Sequence, residues 1–283
     1  MNATSLVSKV TDLPSPSPAV AKLMGLLNRP DADNEQVMKI VKCDGVLCAK
    51  LLAACNSAAN GLKHPVGSVE QAVFHLGYQK IYRIILSLSV GESLSRSLPA
   101  YAIDDHDLWR HSLITAVIAE SILDDDCTVD LDPSVAYTAA LLHDIGKLII
   151  TQHLDEDAVD AIRGLIDAGT HTRLEAERAI LETDHAEVGA CLLQSWNLPE
   201  TIVEAVAHHH EPVLSPRPLA SAVVHVANAL AHEIGSAPGW NAYAIRANEE
   251  AATALHLSPL KIERLLMTAY GSLQRVEEMA LAS

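Results

Sequence analysis

An adjacent histidine and aspartate interrupt an apolar stretch near the middle of this 283-residue chain. His143 and Asp144 stand in the segment Ala-Ala-Leu-Leu-His-Asp-Ile-Gly-Lys, in a region with helical periodicity. A buried carboxylate is costly without a compensating cation, and imidazole together with carboxylate suits Fe, Mn, Zn and similar divalent ions. Lys147 lies about one helical turn beyond Asp144, where it can pair with the carboxylate or reach a ligand phosphate. The segment is therefore a candidate metal site, although a His-Asp pair without any function can look the same.

Further histidines flank this pair along the chain. His111 lies on a helical face with apolar neighbours, where a lone histidine is more often a hydrogen-bonded core residue. His185 follows Asp184 and precedes Glu187, a pattern typical of a helix start, which explains the two acidic residues but not the histidine. Histidines 208–210 close a predicted helix, where one protonated imidazole would favour the helix dipole. Three adjacent histidines indicate instead that one or two point inward as nitrogen ligands.

Helices must position these side chains, because Ala and Leu dominate the composition and only 4% of the residues are aromatic. Apolar residues recur at three- and four-residue spacing along most of the chain, beginning after the Leu-Pro-Ser-Pro-Ser-Pro segment at 13–18. The last helix with this spacing begins at Ser258-Pro259. No alternating strand pattern with hairpin turns stands out, so the sequence predicts an all-α fold. We expect helices at 34–43, 45–58, 68–75, 77–98, 104–126, 133–152, 156–168, 171–182, 185–195, 199–210 and 217–234.

The predicted helices divide into an N-terminal half at 1–100, a core with the His/Asp cluster at 101–235 and a C-terminal extension at 236–283. The first division coincides with a change of charge, because the N-terminal half holds ten Lys and Arg against seven Asp and Glu while the whole chain has a net charge of −16. This acidic balance argues against a protein that binds nucleic-acid backbones, and the few aromatic residues argue against base stacking.

The cysteine pattern and the length of the apolar runs indicate the cellular compartment of the protein. The five cysteines show no C-x-x-C spacing, which is typical of reduced thiols in the cytosol. The first residues lack a basic segment followed by an apolar stretch, and no apolar run reaches the roughly 18 residues of a membrane span. We therefore expect a cytoplasmic protein without membrane contact.

The order His, His-Asp, His, His-His resembles the HD superfamily of metal-dependent phosphohydrolases, in the branch with the HD-GYP phosphodiesterases and the HDOD (HD-related output domain) proteins. The HDOD resemblance is the closer one and covers nearly the whole chain. It rests on Leu13-Pro14 through Pro18, Lys42-Cys43-Asp44, Asn56-Ser57, Val69-Glu70-Gln71-Ala72 and Leu76-Gly77. From the residues alone, Leu76-Gly77 is also a helix end with a glycine cap. The resemblance implies a multi-helix HD-like bundle with an N-terminal helical half packed against it.

The resemblance also implies up to two divalent metal ions, Fe or Mn. Its implied ligands are His111, His143 and Asp144 for the first ion, Asp144, His185, His209 and His210 for the second, and Asn228 where the family has its last Asp. Asn is a neutral ligand and a weaker one than carboxylate, so the first ion and any catalysis depend on this position. The Gly-Tyr-Pro signature of the cyclic-dinucleotide phosphodiesterases is missing after Glu211, so a cyclic di-GMP activity is not expected.

Three functions stay open at this point. The first is a bacterial-type signal-transduction output protein of the HDOD class, which keeps at least part of the metal pocket and acts mainly by binding a signalling partner through its N-terminal half. The second is an active phosphohydrolase on a nucleotide-like phosphoester, in which Asp144 and Lys147 would be catalytic and the Lys147 ammonium would stabilise developing phosphate charge. The third is a helical protein whose histidines are only structural.

Overall fold

The computed structural model describes residues 2–8, 41–42, 45–57, 60–62, 64–123, 129–239 and 247–280. Over these ranges the chain is helical and contains no β-strand beyond an isolated antiparallel bridge between Leu98 and Ile103. The all-α prediction is confirmed. The Leu13–Pro18 segment, the helix predicted after it, most of the helix at 34–43 and residues Cys43 and Asp44 lie outside the described residues.

Most of the predicted helices are present, with ends that differ by a few residues. In chain order the helices are α1 (Ala3–Ser8), α2 (Gly45–Cys55), α3 (Val69–Leu76), α4 (Tyr78–Leu94), α5 (Asp107–Ile122), α6 (Pro133–Leu142), α7 (Gly146–His153), α8 (Glu156–Asp167), α9 (Arg173–Leu181), α10 (His185–Ser195), α11 (Glu200–Ala207), α12 (Pro218–Glu233), α13 (Glu249–Ala254) and α14 (Pro259–Ala280). Short 3₁₀ turns at Pro99–Tyr101 and Pro212–Leu214 precede α5 and α12.

Helix ends signalled by the sequence have the expected caps. The Asp184 side chain accepts a hydrogen bond from the Glu187 backbone at the start of α10. Gly77 ends α3 with a φ of 76°, a conformation that glycine adopts at little cost.

Two of the predicted helices end early next to a histidine. The helix predicted at 133–152 is broken by a turn at 143–145, and the helix predicted at 199–210 ends at Ala207. The ring Nδ1 of His143 is hydrogen-bonded to the carbonyl three residues earlier, at Ala140, and His209 does the same with Val206. Each ring thus takes the carbonyl that the next backbone N–H would need to continue the helix. Periodicity alone does not reveal this competition.

The core consists of one large cluster and a small separate one of Ile162, Ile166 and Ala176 between α8 and α9. One cluster of buried apolar side chains extends from Ala3 to Ala269. Helix α5 lies at its centre and packs against α6, α12 and α14, while α1 packs against α10 and α7. Besides α1, the N-terminal half contacts this bundle through α4, where the Ser87 hydroxyl and the Tyr137 hydroxyl are hydrogen-bonded at 2.9 Å. The division at 1–100, 101–235 and 236–283 stays a prediction.

No helix of the described residues combines the length and the apolar character needed to cross a bilayer.

Candidate metal centre

Four histidines and an aspartate converge in the middle of the bundle from separate elements. His111 is on α5, His143 and Asp144 form the turn between α6 and α7, His185 is the first residue of α10, and His209 follows α11. All five residues are buried, none with more than 2% of its surface exposed. The structure therefore brings together residues that lie far apart in the sequence.

Asp144 lies between two groups of imidazoles, and each of its carboxylate oxygens faces one group. Oδ2 is 3.4 Å from Nε2 of His143 and 3.9 Å from Nε2 of His111. Oδ1 is 3.5 Å from Nε2 of His185 and 3.9 Å from Nε2 of His209. Asp144 therefore presents one anionic donor atom to each group of imidazoles. We call His111, His143 and Asp144 the first triad, and His185, His209 and His210 the second triad.

Three of these imidazoles are oriented by hydrogen bonds to backbone carbonyls. Nδ1–H of His111 donates to the Ser236 carbonyl at 2.6 Å. Nδ1–H of His143 donates to the Ala140 carbonyl, and that of His209 to the Val206 carbonyl, each at 2.7 Å. A neutral imidazole that donates from Nδ1 has its lone pair on Nε2, which here faces the cluster. Burial, together with the neighbouring His143, holds the pKa of His111 and of His209 well below the usual range, so both imidazoles are neutral.

The cluster leaves polar atoms that need a partner. Nε2 of His111, His143 and His209 and Oδ1 of Asp144 are buried and make no hydrogen bond within the described part of the chain. Each unsatisfied buried polar group costs roughly 1–3 kcal/mol. The ligand atoms of each triad lie within 4.8 Å of one another, so one cation per triad would satisfy them. These residues fit divalent metal ions by donor type and by geometry.

His210 completes the second triad at its outer edge. Its Nε2 lies 2.8 Å from Nε2 of His185, and its side chain is only partly buried, so the pocket meets solvent here. His208 is not part of the cluster, because its Nε2 lies 3.3 Å from the Glu204 carboxylate. Of the three adjacent histidines, two therefore point inward and one does not.

Lys147 forms a buried ion pair with Asp144. Its Nζ donates a hydrogen bond of 2.6 Å to Oδ2, and only 9% of the lysine is exposed. Burial alone would raise the pKa of the Asp144 carboxyl, but Lys147 and His143 hold that pKa well below its usual range. The ionised carboxylate is thus maintained by a buried cation on the next helix α7.

Asn228 lies on the face of α12 that is directed at the cluster. Three residues before it, His225 Nδ1 is hydrogen-bonded to the carbonyl of His209 at 2.8 Å. Four residues after it, the ring of His232 lies 4.8 Å from that of His111, centroid to centroid. Residues at these spacings share one helix face. The Asn228 amide is 2% exposed, and its Oδ1 makes no hydrogen bond within the described ranges.

Helix α9 contributes two residues that the sequence did not single out. Glu177, 1% exposed, accepts hydrogen bonds from Nδ1 and from the backbone N–H of His185. Burial would raise the pKa of Glu177, but His185 and Arg173 lower it below its usual range. Arg178 donates to Asp184 and to Glu211, each at 2.7 Å, and so joins the segments that carry His185 and His210. Nothing in the pattern around α9 distinguishes these residues from ordinary surface charges.

Comparison with known proteins places this sequence in a family. The HDOD domain model matches residues 13–212. An uncharacterized protein of Treponema pallidum is 26% identical over 239 residues, which are 78% of this chain and 42% of that protein. Ribonuclease Y of Borreliella afzelii is 34% identical over 133 residues, which are 47% of this chain and 20% of that protein. This chain thus spans less than half the length of these curated relatives.

Solved structures show the same fold. An HDOD domain protein of unknown function from Geobacter sulfurreducens has a TM-score of 0.74 at 24% identity, covering 97% of this chain and 95% of its own. A provisionally named signal transduction protein from Marinobacter aquaeolei has a TM-score of 0.79 at 19% identity, covering 98% of this chain and 63% of its own. Because the family model matches well over half of the sequence, this chain belongs to the HDOD domain family.

Proposed function

We propose that this protein is a signal-transduction output protein of the HDOD class that acts mainly by binding a partner protein and keeps a divalent metal pocket as part of its structure. The observation that carries the proposal is Asn228, a buried neutral amide on the same helix face as His232, whose ring contacts His111 of the first triad. A hydrolytic centre needs charge around its metal, whereas a structural or regulatory ion tolerates a weaker first site. Imidazole and carboxylate donors suit Fe or Mn in either role.

The N-terminal half supports the partner-binding role. It is the basic part of an acidic chain, and its described part carries Phe74, the only phenylalanine of the protein, with 85% of its surface exposed. An exposed aromatic side chain is a common anchor of protein interfaces. A signalling partner with an acidic rim around an apolar pocket would match this surface.

The test combines capture of the partner with a measurement of turnover. We expect Phe74→Ser to abolish capture of a partner from cell extract without changing metal content, while Tyr270→Ser, which removes another exposed aromatic, leaves capture intact. We also expect the metal-loaded protein to hydrolyse phosphoesters no faster than its Asp144→Asn variant. Equal capture by the wild type and the Phe74→Ser protein would contradict the proposed surface.

The second candidate function is a metal-dependent phosphohydrolase, and the bridging position of Asp144 favours it. A bound divalent ion would supply Lewis-acid activation of water and of a phosphoester. His111, His143, His185, His209 and His210 would hold the ions together with Asp144. Lys147 would hold Asp144 ionised and keep a positive charge at the pocket, where phosphate charge develops. The similarity to ribonuclease Y is consistent with a phosphodiester substrate.

Hydrolysis of nucleotide phosphodiesters by the Fe- or Mn-loaded protein would separate the two functions. Turnover that disappears in Asp144→Asn and rises in Asn228→Asp would establish the hydrolase. Absence of turnover in both the wild type and Asn228→Asp, with two metal ions bound, would exclude it for those substrates.

A further inference from the structure

Glu177 contacts the second triad from behind, on the side away from the pocket. We infer that Glu177 is the positioning residue of this triad: it holds His185 in the tautomer whose Nε2 lone pair faces Asp144, and it adds a second negative charge, behind the imidazoles, to that of Asp144. The inference rests on the metal site proposed above. It assigns a role to a residue of α9 that belongs to neither triad.

Two hydrogen bonds to the Glu177 carboxylate fix the position of His185. One carboxylate oxygen, Oε2, accepts the Nδ1–H of His185 at 2.7 Å and the backbone N–H of the same residue at 2.9 Å. Because His185 is the first residue of α10, its backbone N–H has no acceptor within its own helix. A single buried oxygen therefore satisfies two donors of one residue, and this leaves the imidazole one orientation.

His185 differs in this respect from the other buried histidines of the cluster. His111, His143 and His209 each donate Nδ1–H to a backbone carbonyl, which is a neutral acceptor. His185 donates to a carboxylate. A carboxylate behind a ligand imidazole raises the basicity of the imidazole and tightens metal binding, and such outer partners are worth about 10- to 100-fold in affinity.

The difference follows the distribution of charge between the triads. The first triad contains the carboxylate of Asp144, whereas the second triad consists of imidazoles and faces that same carboxylate only through Oδ1. The charge of Asp144 is also shared with Lys147, which is paired with Oδ2. One shared carboxylate compensates a buried dication incompletely. Glu177 adds a second carboxylate behind His185, so the second triad is expected to bind metal more tightly than it would with Asp144 as its only negative charge.

The first measurement needs no metal. Long-range ¹H–¹⁵N spectra of the metal-free protein, recorded near pH 8.5 where ordinary imidazoles with a pKa of about 6.5 are neutral, report which ring nitrogen of His185 carries the proton. We expect Nδ1–H in the wild type and a mixture of tautomers in Glu177→Leu. An Nε2–H tautomer in the wild type would overturn the inference, whether or not the protein binds metal.

The second measurement is titration with Co²⁺, followed by its visible absorption, in a His143→Ala background that removes a ligand of the first triad. We expect Glu177→Gln, which keeps the size and one acceptor, to weaken Co²⁺ binding by about 10- to 100-fold. Glu187→Gln makes the same change on an exposed side chain two residues from His185 and is expected to bind like the parent.

Two failures can be told apart in this titration. Parent and Glu177→Gln proteins with equal Co²⁺ affinity would overturn the role of Glu177 and leave the metal site standing. A wild-type protein that binds no Co²⁺ would overturn the metal site and, with it, the role of Glu177 in metal affinity. Glu177→Gln is the decisive variant if Glu177→Leu does not fold.

Discussion

Gly146 packs so closely on His185 that a Cβ atom added to the glycine would overlap the carbonyl oxygen of His185 and lie 2.7 Å from the backbone nitrogen of Gly189. The turn that carries His143 and Asp144 therefore meets α10 backbone against backbone. Gly189 completes the contact, because a Cβ there would lie 3.2 Å from the backbone nitrogen of Gly146. This approach brings Asp144 within reach of His185, so the glycine of the His-Asp-Ile-Gly segment sets the distance between the two triads.

Gly146→Ala should separate the triads. The new methyl group must push α7 away from α10, and overpacking of this kind costs typically 1–3 kcal/mol. We expect a lower free energy of unfolding in urea and weaker binding of the second metal ion. Gly164→Ala is the matched control, because a Cβ at this exposed helical position meets nothing within 4 Å. The control should instead gain about 0.5–1 kcal/mol; a Gly146→Ala protein as stable as the control would refute the close packing.

Removal of metal should lower the melting temperature. An ion that binds only the folded state stabilises it by about 2.7 kcal/mol at a free concentration of one hundred times the dissociation constant. For a chain of this size, chelation of Mn²⁺ should lower Tm by about 5 °C in scanning calorimetry. The double variant His143→Ala/His209→Ala should not respond to the chelator, whereas His153→Ala, which lies outside both triads, should respond like the wild type. An unchanged Tm in the wild type would favour purely structural histidines.

Asn228→Asp should have opposite effects with and without metal. In the metal-free protein a second buried carboxylate near Asp144 lacks a partner, so stability should fall by about 1–3 kcal/mol. With Mn²⁺ present the new carboxylate is a charged ligand, and the first ion should bind on the order of tenfold more tightly, about 1.4 kcal/mol. Isothermal titration calorimetry measures the second effect, with Asn197→Asp, an exposed site, as the control. Equal metal affinity in wild type and Asn228→Asp would show that position 228 does not face the ion.

Alkaline pH should destabilise the fold through buried tyrosines. Burial raises the pKa of Tyr82 and of Tyr137 above the usual range. Because the folded-state pKa exceeds the unfolded value of about 10, the stability contribution is complete below pH ~10 and is lost as the pH rises further. Replacing Tyr82 by Phe should reduce the pH slope of the unfolding free energy by about 1.4 kcal/mol per pH unit. Tyr270→Phe, at an exposed tyrosine, should leave the slope unchanged; equal slopes for both variants would contradict the prediction.

Several features of the fold could be predicted from residue type and spacing. The all-α class followed from helical periodicity, and the cap at Asp184 and the stop at Gly77 followed from the conformations that these residue types favour. The helix ends at His143 and His209 were predicted wrongly. Apolar periodicity continues through both positions and does not reveal the hydrogen bond from each ring to the carbonyl three residues earlier, which competes with the helix.

The sequence by itself determined which donor groups this protein has and that helices carry them, because helix propensity and hydrogen-bonding chemistry belong to single residues and their near neighbours. Only the tertiary structure decided how the donors are oriented. The partner of His111 Nδ1 is the carbonyl of Ser236, more than a hundred residues away, and the partner of His185 is Glu177 on another helix. Asp144 can face His143 with one oxygen and His185 with the other only because Gly146 packs closely on α10. Such pairings arise from the packing of distant helices, and no local pattern of residues encodes them.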